Sequence, residues 1–326
     1  MTERQQAPDL AELLDTGARP VRALTLDAGG VEISGLLAVP RDRPPRAVVV
    51  AVHGGGMRAG YFDNRSRPGL SLLALGAELG YTVLAVDRPG YGLSAARLPE
   101  GQTVEEQAAT LHTALAGFAA GHDTGAGFFV VAHSYGGKIA LAAAAQDGGD
   151  ALIGLDISGL GSRFAVEPHQ LPGAEGGGEW RRHWGALRLY PPDAFRLSRG
   201  LVSPVPAREA AEGRLWPERY PGIAARVRVP VRFTFAEQEQ WWRCDEEALA
   251  ALRRPLASPR VVIDRQQDAG HNISLGWAAR TYHLRALAFL EECLLARDAA
   301  APAARPRIGQ TRTVSDAMEE LDAALR

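Results

Sequence analysis

Cysteine is almost missing from this chain. The two that occur, Cys244 and Cys293, stand in no C-x-x-C pair, so zinc-knuckle and thioredoxin-like chemistry have no basis here. An excess of one charge is missing too: 36 Lys and Arg face 38 Asp and Glu, a formal net charge of -2. That balance gives no electrostatic reason to expect DNA, RNA or an anionic membrane as a partner. No apolar run approaches the ~20 residues that a bilayer-crossing helix needs. Residues 1–10 are polar and lack the apolar stretch of a secretory signal, which makes the cytoplasm the expected location. Neither G-x-G-x-x-G nor a P-loop occurs in a context that would bind a nucleotide. No metal-ligand cluster is legible, and no cofactor is expected.

What is present is a rhythm. Short apolar runs alternate with longer amphipathic segments. Residues 21–27 and 31–39 predict two strands joined by Gly29-Gly30 as a hairpin. Residues 46–53 (RAVVVAVH), 81–87 (YTVLAVD), 127–132 (GFFVVA) and 151–157 (ALIGLDI) predict strands buried on both faces. Helices are predicted between them over 68–79, 103–120 and 135–145, the second opened by a Thr103/Glu106 capping box. The rhythm predicts an α/β fold, a mostly parallel sheet flanked by helices. It stops over residues 159–225, rich in Gly, Pro, Arg and Trp, a stretch too long to be a bare loop. It resumes with strands at 229–235 and 261–264 and helices at 245–252 and 275–295. Beyond an Ala/Pro/Arg linker (299–307), Val314, Met318, Leu321 and Leu325 share a helical face behind a Thr313/Asp316 capping box.

Three motifs carry chemistry. Ala132-His133-Ser134-Tyr135-Gly136-Gly137 lies between a buried strand and an alanine-rich helix, where a sharp turn pushes Ser134 outward as a nucleophile. Small residues are needed on both sides of such a turn, and Ala132 and Gly136 supply them. His53-Gly54-Gly55-Gly56 follows another buried strand. The N–H of Gly55 or Gly56, with that of Tyr135, is expected to form an oxyanion hole. Asp268-Ala269-Gly270-His271-Asn272 follows the last strand and brings His271 to the carboxyl end of the sheet as general base for Ser134. The other histidines fit less well. His112, His122 and His283 fall in helical patterns; His133 points away from where a base must sit, and His53 is structural. His169 and His183 belong to the irregular stretch.

Together these motifs resemble the α/β-hydrolase superfamily over residues 21–295, and the order Ser134 before His271 matches that family's. Asp87-Arg88-Pro89-Gly90-Tyr91-Gly92-Leu93-Ser94 is similar to its D-x-x-G-x-G-x-S turn. The resemblance implies a core over 1–159 and 229–298, a lid over 160–228 and a separate tail over 299–326. It places the triad acid at Glu239, with Asp156 as rival and Glu237 third. The lid's Trp180 and Trp184, with Trp241 and Trp242, would line an apolar cavity, where Arg181, Arg182 and His183 would hold an anionic or carbonyl group. The implied activity is that of a serine esterase or thioesterase acting through an acyl-enzyme on a small-molecule substrate, with room for a bulky or aromatic acyl group. The same triad also serves acyl transfer, cyclisation, C–C cleavage and elimination, and the same fold serves non-catalytic binding proteins. A homodimer is compatible with this reading.

Overall fold

The computed structural model describes residues 21–147, 151–171 and 181–300. The tail helix expected after residue 307 and Trp180 lie outside them. Eight strands form one sheet: β1 (Arg22–Asp27), β2 (Glu32–Ala38), β3 (Val48–Val52), β4 (Thr82–Val86), β5 (Phe128–His133), β6 (Leu152–Ser158), β7 (Val231–Gln238) and β8 (Val261–Gly270). Their order is β1-β2-β4-β3-β5-β6-β7-β8, antiparallel at β1-β2 and β2-β4 and parallel elsewhere.

The local chemistry explains the elements. β3 pairs with β4 on one side and β5 on the other, and all five of its residues are buried. A wholly apolar VVVAV run suits that position, because helices cover both faces. Between β1 and β2, Gly29 and Gly30 both have positive φ (72° and 87°), as a tight hairpin requires, and the Gly30 N–H donates to Asp27 Oδ1 at 2.7 Å.

Helices α1 (Leu72–Glu78), α2 (Val104–Gly121) and α3 (Tyr135–Gln146) lie in the first half of the chain. The expected capping box opens α2: Thr103 Oγ1 accepts from the Glu106 N–H and Glu106 accepts from the Thr103 N–H. α1 begins at Leu72 rather than 68, because Gly69 is left-handed (φ 80°) and Ser71 caps the helix, accepting from the Ala74 N–H at 3.2 Å. Between β6 and β7 the described residues form only short helices: α4 (Arg181–Trp184), α5 (Ala194–Ser198), α6 (Ala207–Gly213) and α7 (Trp216–Ala224). Prolines at 191, 192, 204, 206, 217 and 221 deny this stretch the N–H donors of a long helix. α8 (Glu246–Arg253) and α9 (Ala279–Ala300) follow β7 and β8. Two cores result, one on each face of the sheet: Leu111, Ile139 and Leu252 belong to one, Leu72, Tyr282 and Leu290 to the other.

β8 runs six residues beyond the 261–264 expected, ending at Gly270. Its second half is polar (RQQD), so apolar content alone missed it; pairing with β7 holds it in place. The extension delivers His271 directly off a strand. No helix among the described residues is long and apolar enough to cross a membrane.

Candidate active site

β5 ends at His133, and the chain turns into α3 through Ser134 alone. Ser134 has φ 51° and ψ -117°, a conformation that costs a residue with a Cβ roughly 1–3 kcal/mol. Glycines let the turn fit. A Cβ on Gly136 would lie 2.4 Å from the Val52 carbonyl oxygen, and one on Gly54 would lie 3.2 Å from the Ser134 Cβ. The turn places Ser134 in the wall of a cavity of about 350 Å3, shared with Gly55, Tyr135, Trp241 and His271.

The His271 Nδ1 lies 2.9 and 3.0 Å from the two oxygens of the Glu239 carboxylate, and the two side chains are 2% and 1% exposed. An ionised carboxylate only accepts, so Nδ1 carries the proton and Nε2 keeps a lone pair. Glu239 is itself held: Oε1 accepts from the Trp241 N–H at 3.0 Å, and its own N–H donates to the Ala236 carbonyl at 3.2 Å. Gly159, left-handed at φ 63°, makes room for the imidazole; a Cβ there would sit 2.8 Å from His271 Cε1. Gly159 has no motif around it, and its part is visible only once β6 and β8 are brought together.

The other two candidate acids lie elsewhere. Asp156, on β6, forms a buried ion pair with Arg232 and accepts from the Tyr282 hydroxyl at 2.9 Å. The Glu237 carboxylate accepts from the Asp268 N–H at 2.7 Å, bracing the left-handed turn (φ 53°) that leads into His271. The structure therefore brings Glu239 to His271, and neither Asp156 nor Glu237.

Three more imidazoles stand nearby. His53 lies 2.8 Å through Nδ1 from the Gly54 carbonyl and accepts at Nε2 from the Arg88 N–H at 3.0 Å. His133 stacks on Tyr61, ring centroids 4.6 Å apart, with Nδ1 3.1 Å from the Ser158 hydroxyl. Burial, helped by Arg88 for the first and His271 for the second, holds both well below the usual imidazole range. His183 lies 4.8 Å from the Trp241 ring and 6.0 Å from the His271 ring; burial, then His271, lowers it to about 3. It is therefore a neutral group in the wall, not the cation for an anionic ligand that its neighbours suggested.

The Tyr135 N–H lies in the first turn of α3, where no intrahelical acceptor exists. The Gly56 N–H is occupied by the Tyr91 hydroxyl at 3.1 Å, which leaves Gly55 as the better second donor. Trp184, Trp241 and Trp242 line the cavity, and Trp242 stacks there on Phe164 at 4.4 Å. Arg182 lies 6.0 Å from the Trp241 ring, and Arg181 is exposed. No group of three or more His, Cys, Asp or Glu among the described residues is arranged to hold a metal.

One buried ion pair escaped the sequence reading. Arg88 binds Glu209 of α6 through two bonds, 2.7 and 2.9 Å, both side chains being 1% exposed. Arg88 also donates to the carbonyls of His53 (2.8 Å) and Gly54 (3.1 Å), and Tyr91 donates to Glu209 at 2.9 Å. One guanidinium thus fixes the glycine loop and the β6–β7 segment together. Glu209→Ala would strand a buried cation, and an expected loss of about 3–5 kcal/mol should lower the urea midpoint. An unchanged midpoint would show that water replaces the carboxylate.

Residues 49–316 match the model of the alpha/beta hydrolase family. A comparison with curated proteins finds no significant match. Among solved structures, a soluble variant of monoglyceride lipase from Saccharomyces cerevisiae is similar at 16% identity and a TM-score of 0.66, over 86% of this chain and 97% of that one. A monoacylglycerol lipase from Paleococcus ferrophilus is similar at 18% identity and a TM-score of 0.58, over 84% and 100%. A thermophilic esterase from Thermogutta terrifontis is similar at 17% identity and a TM-score of 0.56, over 83% and 99%. At such identities the likeness is one of fold.

Proposed function

The chain belongs to the alpha/beta hydrolase family, and on that premise we propose that it is a serine hydrolase of esters or thioesters working through an acyl-enzyme. One observation carries the reading: a histidine paired through Nδ1 with a buried carboxylate lines the same cavity as a serine held on a strained strand-to-helix turn. The esterase and monoglyceride lipases of similar fold support ester chemistry over the family's other reactions.

In this mechanism Ser134 Oγ attacks the substrate carbonyl while His271 Nε2 takes its proton. The N–H groups of Tyr135 and Gly55 receive the oxyanion, and Glu239 stabilises the imidazolium. His271 then returns the proton to the departing alcohol or thiol. In the second half His271 deprotonates a water, which attacks the acyl carbon and releases the acid and Ser134. His133 and His183 do not compete as bases, because their surroundings oppose protonation. The segment between β6 and β7 acts as a lid, contributing Trp184, Val202 and Arg214 to the cavity wall. Its aromatic and aliphatic surface suits a small to medium acyl group.

A fluorophosphonate is expected to add once to the wild-type protein, with the mass increment on the peptide containing Ser134. An intact mass unchanged after prolonged exposure would refute an activated serine here.

A further inference from the structure

We propose that the cavity holds an anion subsite built on the Lys138 ammonium, and that the substrate carries a carboxylate on its acyl or leaving group. The proposal rests on the ester-cleaving reading above and names the substrate class for that site.

Lys138 stands in the first turns of α3, four residues after Ser134, and both side chains line the same cavity. It lines the cavity yet is only 5% exposed. Among the described residues its Nζ donates one hydrogen bond, to the Gly213 carbonyl at 3.2 Å, and no carboxylate lies within ion-pair distance. The rings of Tyr135 and Trp216 flank it, centroids 4.7 and 5.5 Å away.

The neighbouring charges are already matched. Glu209 is bound by Arg88 through both oxygens, and Glu212 is paired with Arg219 at 2.9 Å, which also reaches Glu105 on the solvent side. Among the described residues Lys138 is the buried cation left without a carboxylate. Exposed Arg214 adds a second positive charge to the cavity wall. The Tyr135 hydroxyl is buried with no hydrogen-bond partner among the described residues. Burial and the nearby Glu209 keep that hydroxyl protonated, and so a donor.

An apolar acyl chain alone has no use for these groups. A buried ammonium with donors to spare is costly unless something compensates it, and a substrate carboxylate does so. One buried ammonium matches the single charge of a carboxylate better than the two of a phosphate dianion, since the Arg214 charge is exposed to solvent and screened. Ser134 and Lys138 share one cavity of about 350 Å3, so a single small substrate can reach both.

Burial holds Lys138 down to about 7, opposed by Glu209 and reinforced by Arg88. The pairing needs the charged amine. A preference for anionic substrates should therefore be full below that value and fade as pH rises through it. A bound carboxylate shifts the fade upward by favouring the proton.

The test compares kcat/KM within two matched pairs. Monobenzyl adipate against benzyl hexanoate puts the charge on the acyl side. The butyrate ester of 4-(hydroxymethyl)benzoate against benzyl butyrate puts it on the leaving group. Wild-type enzyme at pH 6.5 is expected to favour the anionic member of one pair tenfold or more, and the identity of that pair assigns the side. Lys138→Met should bring the ratio to about one and Lys138→Arg should retain most of it; a ratio taken within one enzyme cancels any general loss of activity. A wild-type ratio of one or less in both pairs, from enzyme that labels at Ser134, overturns the subsite alone, as does a ratio unchanged in Lys138→Met. Wild-type enzyme that takes no label overturns the serine reading beneath it.

Discussion

Ser134→Ala is expected to lower kcat on any hydrolysed ester by about four to six orders of magnitude and to abolish fluorophosphonate labelling. The Oγ is the only atom lost, so KM should move far less than kcat. The wild-type conformation at this position is strained (φ 51°, ψ -117°), and alanine inherits the same backbone cost. The variant should therefore fold with the stability of the parent, which circular dichroism and urea unfolding can check on the sample used for kinetics. Residual activity above the uncatalysed rate is expected, because the Tyr135 and Gly55 N–H groups and the cavity remain. Retention of more than a tenth of wild-type kcat would show that another group starts the reaction.

Glu239→Gln should lower kcat by about 10^2- to 10^4-fold with little change in shape. The position of one proton decides the effect. In the wild type the carboxylate can only accept, so His271 holds its proton on Nδ1 and offers Nε2 as a base. A glutamine amide can donate to Nδ1 instead. That exchange puts the imidazole proton on Nε2, facing Ser134, and leaves no lone pair to receive the hydroxyl proton. The imidazolium also loses its buried counter-charge. Glu239→Asp keeps the charge and retracts it by one methylene, so it should fall between the two. Activity of Glu239→Gln within tenfold of wild type would remove Glu239 from the mechanism, since no other carboxylate among the described residues forms a hydrogen bond with His271.

The parts of this molecule legible in its sequence are those written in a few consecutive residues. The β-branched run Val48–Val52 can be placed only inside a sheet, and Ala132 and Gly136, two residues either side of Ser134, mark a turn between a strand and a helix. Glu239 follows only from the family resemblance, which sets the acid after the strand that succeeds the irregular stretch. What stayed hidden depends on contacts between distant segments. Arg88 and Glu209 are 121 residues apart, and neither has a neighbour that signals the other. Gly159 reads as an ordinary strand-end glycine until His271 is packed on it. Lys138 looks like a solvated helical lysine, because the covering residues Gly213 and Trp216 come from α6 and α7. The second half of β8 was missed for another reason: its pairing with β7, not apolar content, makes it a strand.

Gly270 has a bearing on how such an enzyme can be remodelled. A Cβ there would lie 2.0 Å from the Trp184 carbonyl oxygen, so the covering segment rests on bare backbone beside His271. Another mooring is Glu209 on Arg88. Both counterparts belong to the scaffold beneath rather than to the segment itself. A chimera that grafts residues 159–230 onto a foreign eight-stranded scaffold must therefore carry a glycine at the first mooring and an arginine at the second. Without them the transplant arrives with one buried carboxylate unmatched and no space for its backbone next to the histidine.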